Sequence, residues 1–238
     1  MNPCSSDTYP RLRPEAAPSW LVPVLRATRD ADAASMSVHD LPPPETVGRR
    51  AAVLVLFGET EAGPDLLLQE RAASLRDHAG QVSFPGGATE QTDRDPVHTA
   101  LREAAEETGL RPEGVVPLVV LPELYIPPSG FCVTPVLAHW PDPVAVSPVD
   151  PGETARVVRV PVAELADPAN RFLIRHSSGF VSPAFEVAGM VVWGFTGGLV
   201  DALLRMGGWE RPWTGAELDL DSALASARRR HSVAGPDA

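Results

Sequence analysis

Gly86-Gly-Ala-Thr-Glu-Gln-Thr-Asp-Arg-Asp-Pro-Val-His-Thr-Ala-Leu-Arg-Glu-Ala-Ala-Glu-Glu-Thr-Gly-Leu110 is the stretch on which the reading of this chain turns. A Gly-Gly pair opens it, a short acidic loop follows, and Pro96–Thr108 then reads as a helix with Asp95 as N-cap and Gly109 as C-terminal stop. Three glutamates sit near its end. At about 100° per residue, Glu106 lies about 60° to one side of Glu103 and Glu107 about 40° to the other. Val97, Leu101, Ala104, Ala105 and Thr108 fall on the other side, so the helix should have one buried face and one carboxylate face. Like charges repel, and the last turn of a helix prefers cations, so that face carries a penalty. A divalent cation with oxygen ligands, Mg²⁺ or Mn²⁺, would offset it; an ordinary solvated helix face is the other reading of the same residues.

Outward from this helix the chain reads as alternating strands and loops. Arg50–Phe57 is dense in β-formers, Gly58–Pro64 is a turn, and Asp65–Arg71 completes a hairpin. Gln81–Phe84 is extended before Pro85. Val115–Leu121 and Phe131–Ala138 are two further strands split by the loop Pro122–Gly130, and Pro141–Gly152 is a long Pro-rich connection. Arg156–Val160 is a strand, Val162–Leu165 a short helix, and Arg171–Ile174 and Phe185–Val187 short strands. A helix over Leu199–Arg205 is expected with Thr196 as its cap, and a weaker one over Gly215–Arg230. A short helix within Glu15–Thr28 contains Pro23, which argues against it. Strands outnumber helices, which gives an α+β class, an α/β/α sandwich around a largely mixed sheet. The expected division is an N-terminal extension over 1–49, one domain over 50–206 and a C-terminal extension over 207–238.

The 238 residues carry a formal charge of −11, which argues against nonspecific nucleic-acid binding. An anionic substrate stays open, because bound metal ions invert the local field. Cys4 and Cys132 form no CxxC pattern, which points to a reducing compartment and no thiolate zinc site. No basic and apolar leader pattern precedes Arg50, and no apolar run is long enough to span a bilayer. A soluble, cytoplasmic protein without a membrane partner is the expectation.

Arg102-Glu-Ala-Ala-Glu-Glu-Thr-Gly-Leu110 is similar to the signature REUxEExGU (U apolar) of the Nudix hydrolases. The preceding part differs, with Asp93 where the family carries Glu and one more residue before Arg102. Upstream, Leu67-Leu-Gln-Glu-Arg71 and Leu75-Arg-Asp-His-Ala-Gly-Gln-Val-Ser-Phe-Pro-Gly-Gly87 resemble the additional signature of the coenzyme A pyrophosphatase branch. That branch also tends to carry the longer gap, and Gly130–Leu137 and Val191–Val200 resemble segments of it.

The resemblance implies a mixed sheet between helices and hydrolysis of a nucleoside diphosphate linked to another group. In this branch the expected substrate is coenzyme A or a derivative, cut to 3′,5′-ADP and a 4′-phosphopantetheine product. Glu103, Glu106 and Glu107 are the expected ligands of Mg²⁺ or Mn²⁺, joined by a backbone carbonyl of the Gly86–Gly87 loop, and Arg102 is expected to orient a carboxylate. Asp93 drops from the ligand set. Arg71 and Arg76 are candidates for substrate phosphates, since the guanidinium fork donates bidentately. Gln81 and His78 are candidates of the same standing. Glu153 is the candidate general base or extra ligand; it aligns with a Glu of the branch usually followed by Val, here by Thr154. Tyr125, Pro127, Phe131 and Trp193 are candidates for an apolar wall, and Cys132 for a small buried hydrophobe. A Nudix enzyme for ADP-ribose or another dinucleotide, and a Nudix-like binding module without turnover, are the rival readings. Oligomeric state, a homodimer included, is left open.

Overall fold

The computed structural model describes residues 10–36, 49–75, 78–127, 129–176 and 179–234. In chain order these give α1 (Val22–Ala27), α2 (Ala33–Met36), β1 (Arg49–Thr60), β2 (Gly63–Arg71), β3 (Val82–Ser83), β4 (Gly86–Ala88) and α3 (Pro96–Thr108). Then follow β5 (Val116–Val120), β6 (Leu124–Ile126), β7 (Phe131–His139), β8 (Thr154–Pro161), α4 (Val162–Leu165), β9 (Arg171–Arg175), β10 (Val181–Val187), β11 (Met190–Val192), α5 (Gly194–Gly207), β12 (Glu217–Asp219) and α6 (Leu220–Ala234).

The larger sheet runs β3-β2-β1-β7-β5, with β4 on β1, β6 on β7 and β8 on β2. It is mixed because β1 and β7 pair in parallel from Arg49↔Phe131 to Phe57↔His139, whereas the other pairings are antiparallel. Side-chain parity then divides the core. Ala52, Leu54 and Leu56 of β1 and Leu67 of β2 pack with Leu101 and Ala104 of α3 on one face. Val55, Phe57, Leu66 and Leu68 point the other way, into a cluster with Val24 of α1, Leu199 and Leu203 of α5, and Phe185 of β10. Helices therefore cover both faces, and the expected α+β sandwich with a mixed sheet is observed. A second sheet, β11-β10-β9-β12, carries α5 and α6. No helix among the described residues is long and apolar enough to cross a membrane.

The organising helix has the expected bounds. Asp95 Oδ1 accepts the His98 N–H at 2.8 Å, and Gly109 at φ 69° donates its N–H to Ala105 O at 3.0 Å. Elsewhere the structure corrects the reading. The β1–β2 hairpin extends to the pair Thr60↔Gly63, so its turn is only Glu61–Ala62. The expected 15–28 helix starts at Val22 with Pro23 in its first turn, where the missing N–H costs nothing. α5 begins at Gly194 with Trp193 as N-cap, and Thr196 lies inside it rather than capping it. Three glycines, Gly194, Gly197 and Gly198, disguise that start, yet packing requires one of them: a Cβ on Gly197 would stand 2.8 Å from Pro183 O. The 215–230 helix starts only at Leu220, because Glu217–Asp219 first pair in parallel with Leu173–Arg175. β4, β6 and β11, each three residues long, are additional strands, β6 lying within the expected loop Pro122–Gly130.

Candidate active site

β4 lies antiparallel on the N-terminal half of β1, with Ala52↔Gly87 and Val53↔Gly86 in register. This pairing brings the Gly-Gly loop against α3. A Cβ on Gly86 would stand 2.3 Å from Ala52 O, and one on Gly87 would stand 2.5 Å from the Glu103 carboxyl carbon. Glycine at both positions is thus a matter of close approach: the first to a backbone, the second to a carboxylate.

The three glutamates occupy three different environments. Glu106 is exposed and pairs with Arg102 Nη1 at 3.0 Å. Glu103 is largely buried against Gly87, with Arg102 Nη2 at 3.1 Å; burial pushes its carboxyl upward, the Arg102 charge opposes this, and the Glu106 charge adds to it. Glu107 is the most enclosed of the three. Its Oε2 accepts the Gly86 N–H at 2.8 Å and the Gln69 Nε2–H at 2.7 Å, and Arg71 Nη1 lies 3.9 Å from Oε1. Burial raises Glu107 to about 7 despite these donors.

Arg102 is held from behind. Its Nε and Nη2 donate to the two oxygens of Asp93 at 3.0 and 2.9 Å, and Nη2 also donates to Ala88 O at 3.0 Å. Asp93 is fully enclosed and also accepts the Glu90 N–H at 2.9 Å and the Thr99 hydroxyl at 3.0 Å. The Arg102 hydrogen bonds dominate in holding its carboxyl down, to about 2. Asp93 is thus the anchor of the arginine that contacts Glu103 and Glu106. Its two matched oxygens meeting a guanidinium fork are the bidentate geometry that favours Arg.

Beside this acidic edge is a cavity of about 500 Å³. Arg71, Gln81, His78 and Gly87, all singled out in the sequence, line it. Phe84, Ile126, Phe131, Trp193 and Phe195 supply apolar walls, and His176 faces it from the end of β9. Tyr125 is not in the lining, because successive residues of β6 face opposite sides and Ile126 takes that position; Pro127 is not in it either. Gln81 Oε1 and His78 Nδ1 are 2.8 Å apart. Cys132 is buried, in the setting expected of a small hydrophobe. Arg76 lies outside the described residues. Glu153 is exposed in the turn just before β8; its carbonyl accepts the Ala72 N–H at 2.8 Å, which ties it to the sheet edge just after Arg71, but it does not line the cavity.

Sequence reasoning missed Gln69, the anchoring role of Asp93, and the contributions of Ile126, Phe195 and His176. Gln69 had a signal: an amide following three leucines in a strand that buries both faces.

The carboxylate edge offers only hard oxygen donors, and Gly87 allows the loop backbone to come against Glu103; these residues fit a divalent cation. Among the described residues, no three His, Cys, Asp or Glu side chains already converge on one point, since Arg102 bridges Glu103 and Glu106 while Gln69 and Gly86 hold Glu107.

Comparison with known proteins places this geometry. Residues 47–179 match the family described as NUDIX domain, more than half of the chain. A protein of Pectobacterium atrosepticum named uncharacterized Nudix hydrolase NudL is 56% identical over 89 residues, covering 37% of this chain and 45% of that protein. Its namesake in Cronobacter sakazakii is 47% identical over 116 residues, 49% of this chain and 59% of that protein. The chain thus spans about half the length of the curated relatives it matches. Among solved structures, the Nudix hydrolase RenU of M. smegmatis overlays with a TM-score of 0.46 at 19% identity, over 71% of this chain and 91% of that one. On the extent of the family match, this chain belongs to the Nudix family.

Proposed function

We propose that this chain is a divalent-metal-dependent pyrophosphohydrolase acting on coenzyme A or a coenzyme A derivative, with 3′,5′-ADP and a 4′-phosphopantetheine product. The observation that carries the proposal is the junction of the acidic edge of α3 and the Gly86–Gly87 loop with a 500 Å³ cavity that has Arg71 and apolar walls. Glu103, Glu106, Glu107 and the backbone of Gly87 would hold Mg²⁺ or Mn²⁺, which when bound neutralises phosphate charge and acidifies water. The chain's own groups do the rest. Arg71 offers its fork to phosphate oxygens from the cavity lining. Arg102, fixed by Asp93, keeps Glu103 and Glu106 in register with the loop. Phe131, Trp193 and Phe195 exclude water around the organic part of the substrate. Glu153 stands as candidate base on the resemblance alone.

The coenzyme A assignment draws support from where the branch-like block lies. Arg71, His78, Gln81, Phe84, Gly86 and Gly87 all come from Leu67–Gly87, and all line the cavity. The test is incubation with coenzyme A, an acyl ester of it, ADP-ribose, NADH and 8-oxo-dGTP with Mg²⁺ or Mn²⁺, with products identified by mass. Release of 3′,5′-ADP is expected. Rapid cleavage of ADP-ribose with coenzyme A untouched would reject the substrate assignment. Turnover no higher than that of a Glu106→Gln control would make the chain a binding module.

A further inference from the structure

β2 places its residues by parity. Leu67 packs on the α3 side, Leu66 and Leu68 on the opposite side, and Gln69 therefore returns to the α3 side, one turn of sheet pleat along from Leu67. Gln69 is completely buried there. Its Nε2 donates to Glu107 Oε2 at 2.7 Å and lies 3.5 Å from Ser83 Oγ, while its Oε1 is buried with no hydrogen-bond donor among the described residues. An apolar side chain of the same length would fill that space without desolvating an amide oxygen, so packing alone does not account for a glutamine. What the amide adds is its contact with Glu107. Together with the Gly86 N–H at 2.8 Å, it places two donors on the same carboxylate oxygen. Oε1 is left on the side where Arg71 Nη1 stands 3.9 Å away, and Arg71 lines the cavity.

We propose that Gln69 is a positioning residue that pins Oε2 of Glu107, so that Oε1 of that carboxylate would be the oxygen left to hold a divalent cation. This rests on the reading of Glu107 as a metal ligand. The amide acts on the ligand and not on the substrate, so its loss should weaken metal binding and lower kcat at limiting metal, while KM for the nucleotide at saturating metal stays put.

The test measures Mn²⁺ affinity by calorimetry and by the Mn²⁺ spin-resonance signal, together with Tm, for the unaltered chain, Gln69→Met, Gln69→Asn and Glu107→Gln. Gln69→Met keeps the volume and removes the donor; Gln69→Asn keeps the amide but withdraws it by one methylene. The expected result is a loss of Mn²⁺ affinity of about 10–100-fold in both Gln69 variants, the usual effect of removing a partner that orients a ligand. In Gln69→Met the Tm should be unchanged or raised, because the orphaned amide oxygen leaves with the side chain. Either variant holding Mn²⁺ as tightly as the unaltered chain would overturn the inference, as would a Tm loss in both without a loss of affinity, or failure of both to fold. If the unaltered chain binds no more Mn²⁺ than Glu107→Gln, the metal reading falls, and the inference falls with it. Normal Mn²⁺ binding without coenzyme A cleavage rejects only the substrate assignment.

Discussion

Asp93→Asn tests the anchoring of Arg102 most directly. The Asp93 side chain is fully enclosed and accepts from two nitrogens of Arg102, the Glu90 N–H and the Thr99 hydroxyl, with His98 Nδ1 3.1 Å from Oδ1. Its pKa is depressed from 3.8 to about 2, with the Arg102 hydrogen bonds the largest cause. A carboxyl depressed on folding adds stability above its unfolded pKa and loses it as pH falls through the folded value. At about 1.4 kcal/mol per pH unit, the depression corresponds to roughly 2.5 kcal/mol at neutral pH, about half of which is left near pH 3. Asparagine turns one acceptor into a donor facing a guanidinium, so the total cost at pH 7 should be about 2.5–4 kcal/mol. Urea unfolding of the metal-free protein at pH 7 and pH 3 reads this as the stability gap between the two proteins, with an unchanged m-value. The gap should shrink by about 1 kcal/mol on acidification. A gap that is the same at both pH values, or below about 0.5 kcal/mol at pH 7, would refute the claim that this buried ion pair holds the loop to the helix.

Two further outcomes follow from the same corner of the molecule. Gly86→Ala puts a Cβ 2.3 Å from a backbone oxygen and should cost about 3 kcal/mol or more of stability, whereas Gly87→Ala meets only the movable end of Glu103 and should fold near normally while losing Mn²⁺ affinity; calorimetric melting and Mn²⁺ titration of both separate the effects, and equal melting losses would count against the difference. Glu107 titrates in the opposite sense to Asp93: its pKa is raised by burial from 4.5 to about 7, so its own contribution to the stability of the metal-free protein is greatest below 4.5 and falls by roughly 3 kcal/mol between pH 4.5 and 7. Mn²⁺ requires the ionised carboxylate, so its gain in Tm should be larger at pH 8 than at pH 5, and equal gains would contradict the ligand role.

Local chemistry made the organising helix legible. Asp95, Pro96 and Gly109 are strong end signals, and the apolar positions repeat at helical spacing, so its bounds could be read to the residue. The long strands β1, β2 and β7 were visible for a similar reason, being dense in Val, Leu and Phe and buried over most of their length. β4, β6 and β11 were not, since three residues carry no period and exist only through a partner strand. α5 was read short because glycines at 194 and 197 look like breakers until the close approach to β10 is known. At the site, the glutamates and Arg102 could be placed by helical angle, because all four lie within two turns of one element. Gln69 could not, as its 2.7 Å contact joins residues 38 apart in the chain. Asp93 was discarded as a ligand when its actual work is to hold an arginine, something only its enclosed setting reveals.

The cavity also has a history in time. Part of its lining is made by Arg71, Phe84 and Gly87 and part by His176, Trp193 and Phe195, so the two parts leave the ribosome far apart in time. At synthesis rates of about 5–20 residues per second, roughly 6–24 s separate Arg71 from Trp193. Through that interval the acidic helix and its glycine loop have been synthesised while the Trp193 and Phe195 part of the cavity lining has not. A nascent chain stalled before Trp193 would therefore lack part of the lining on which the proposed nucleotide substrate depends.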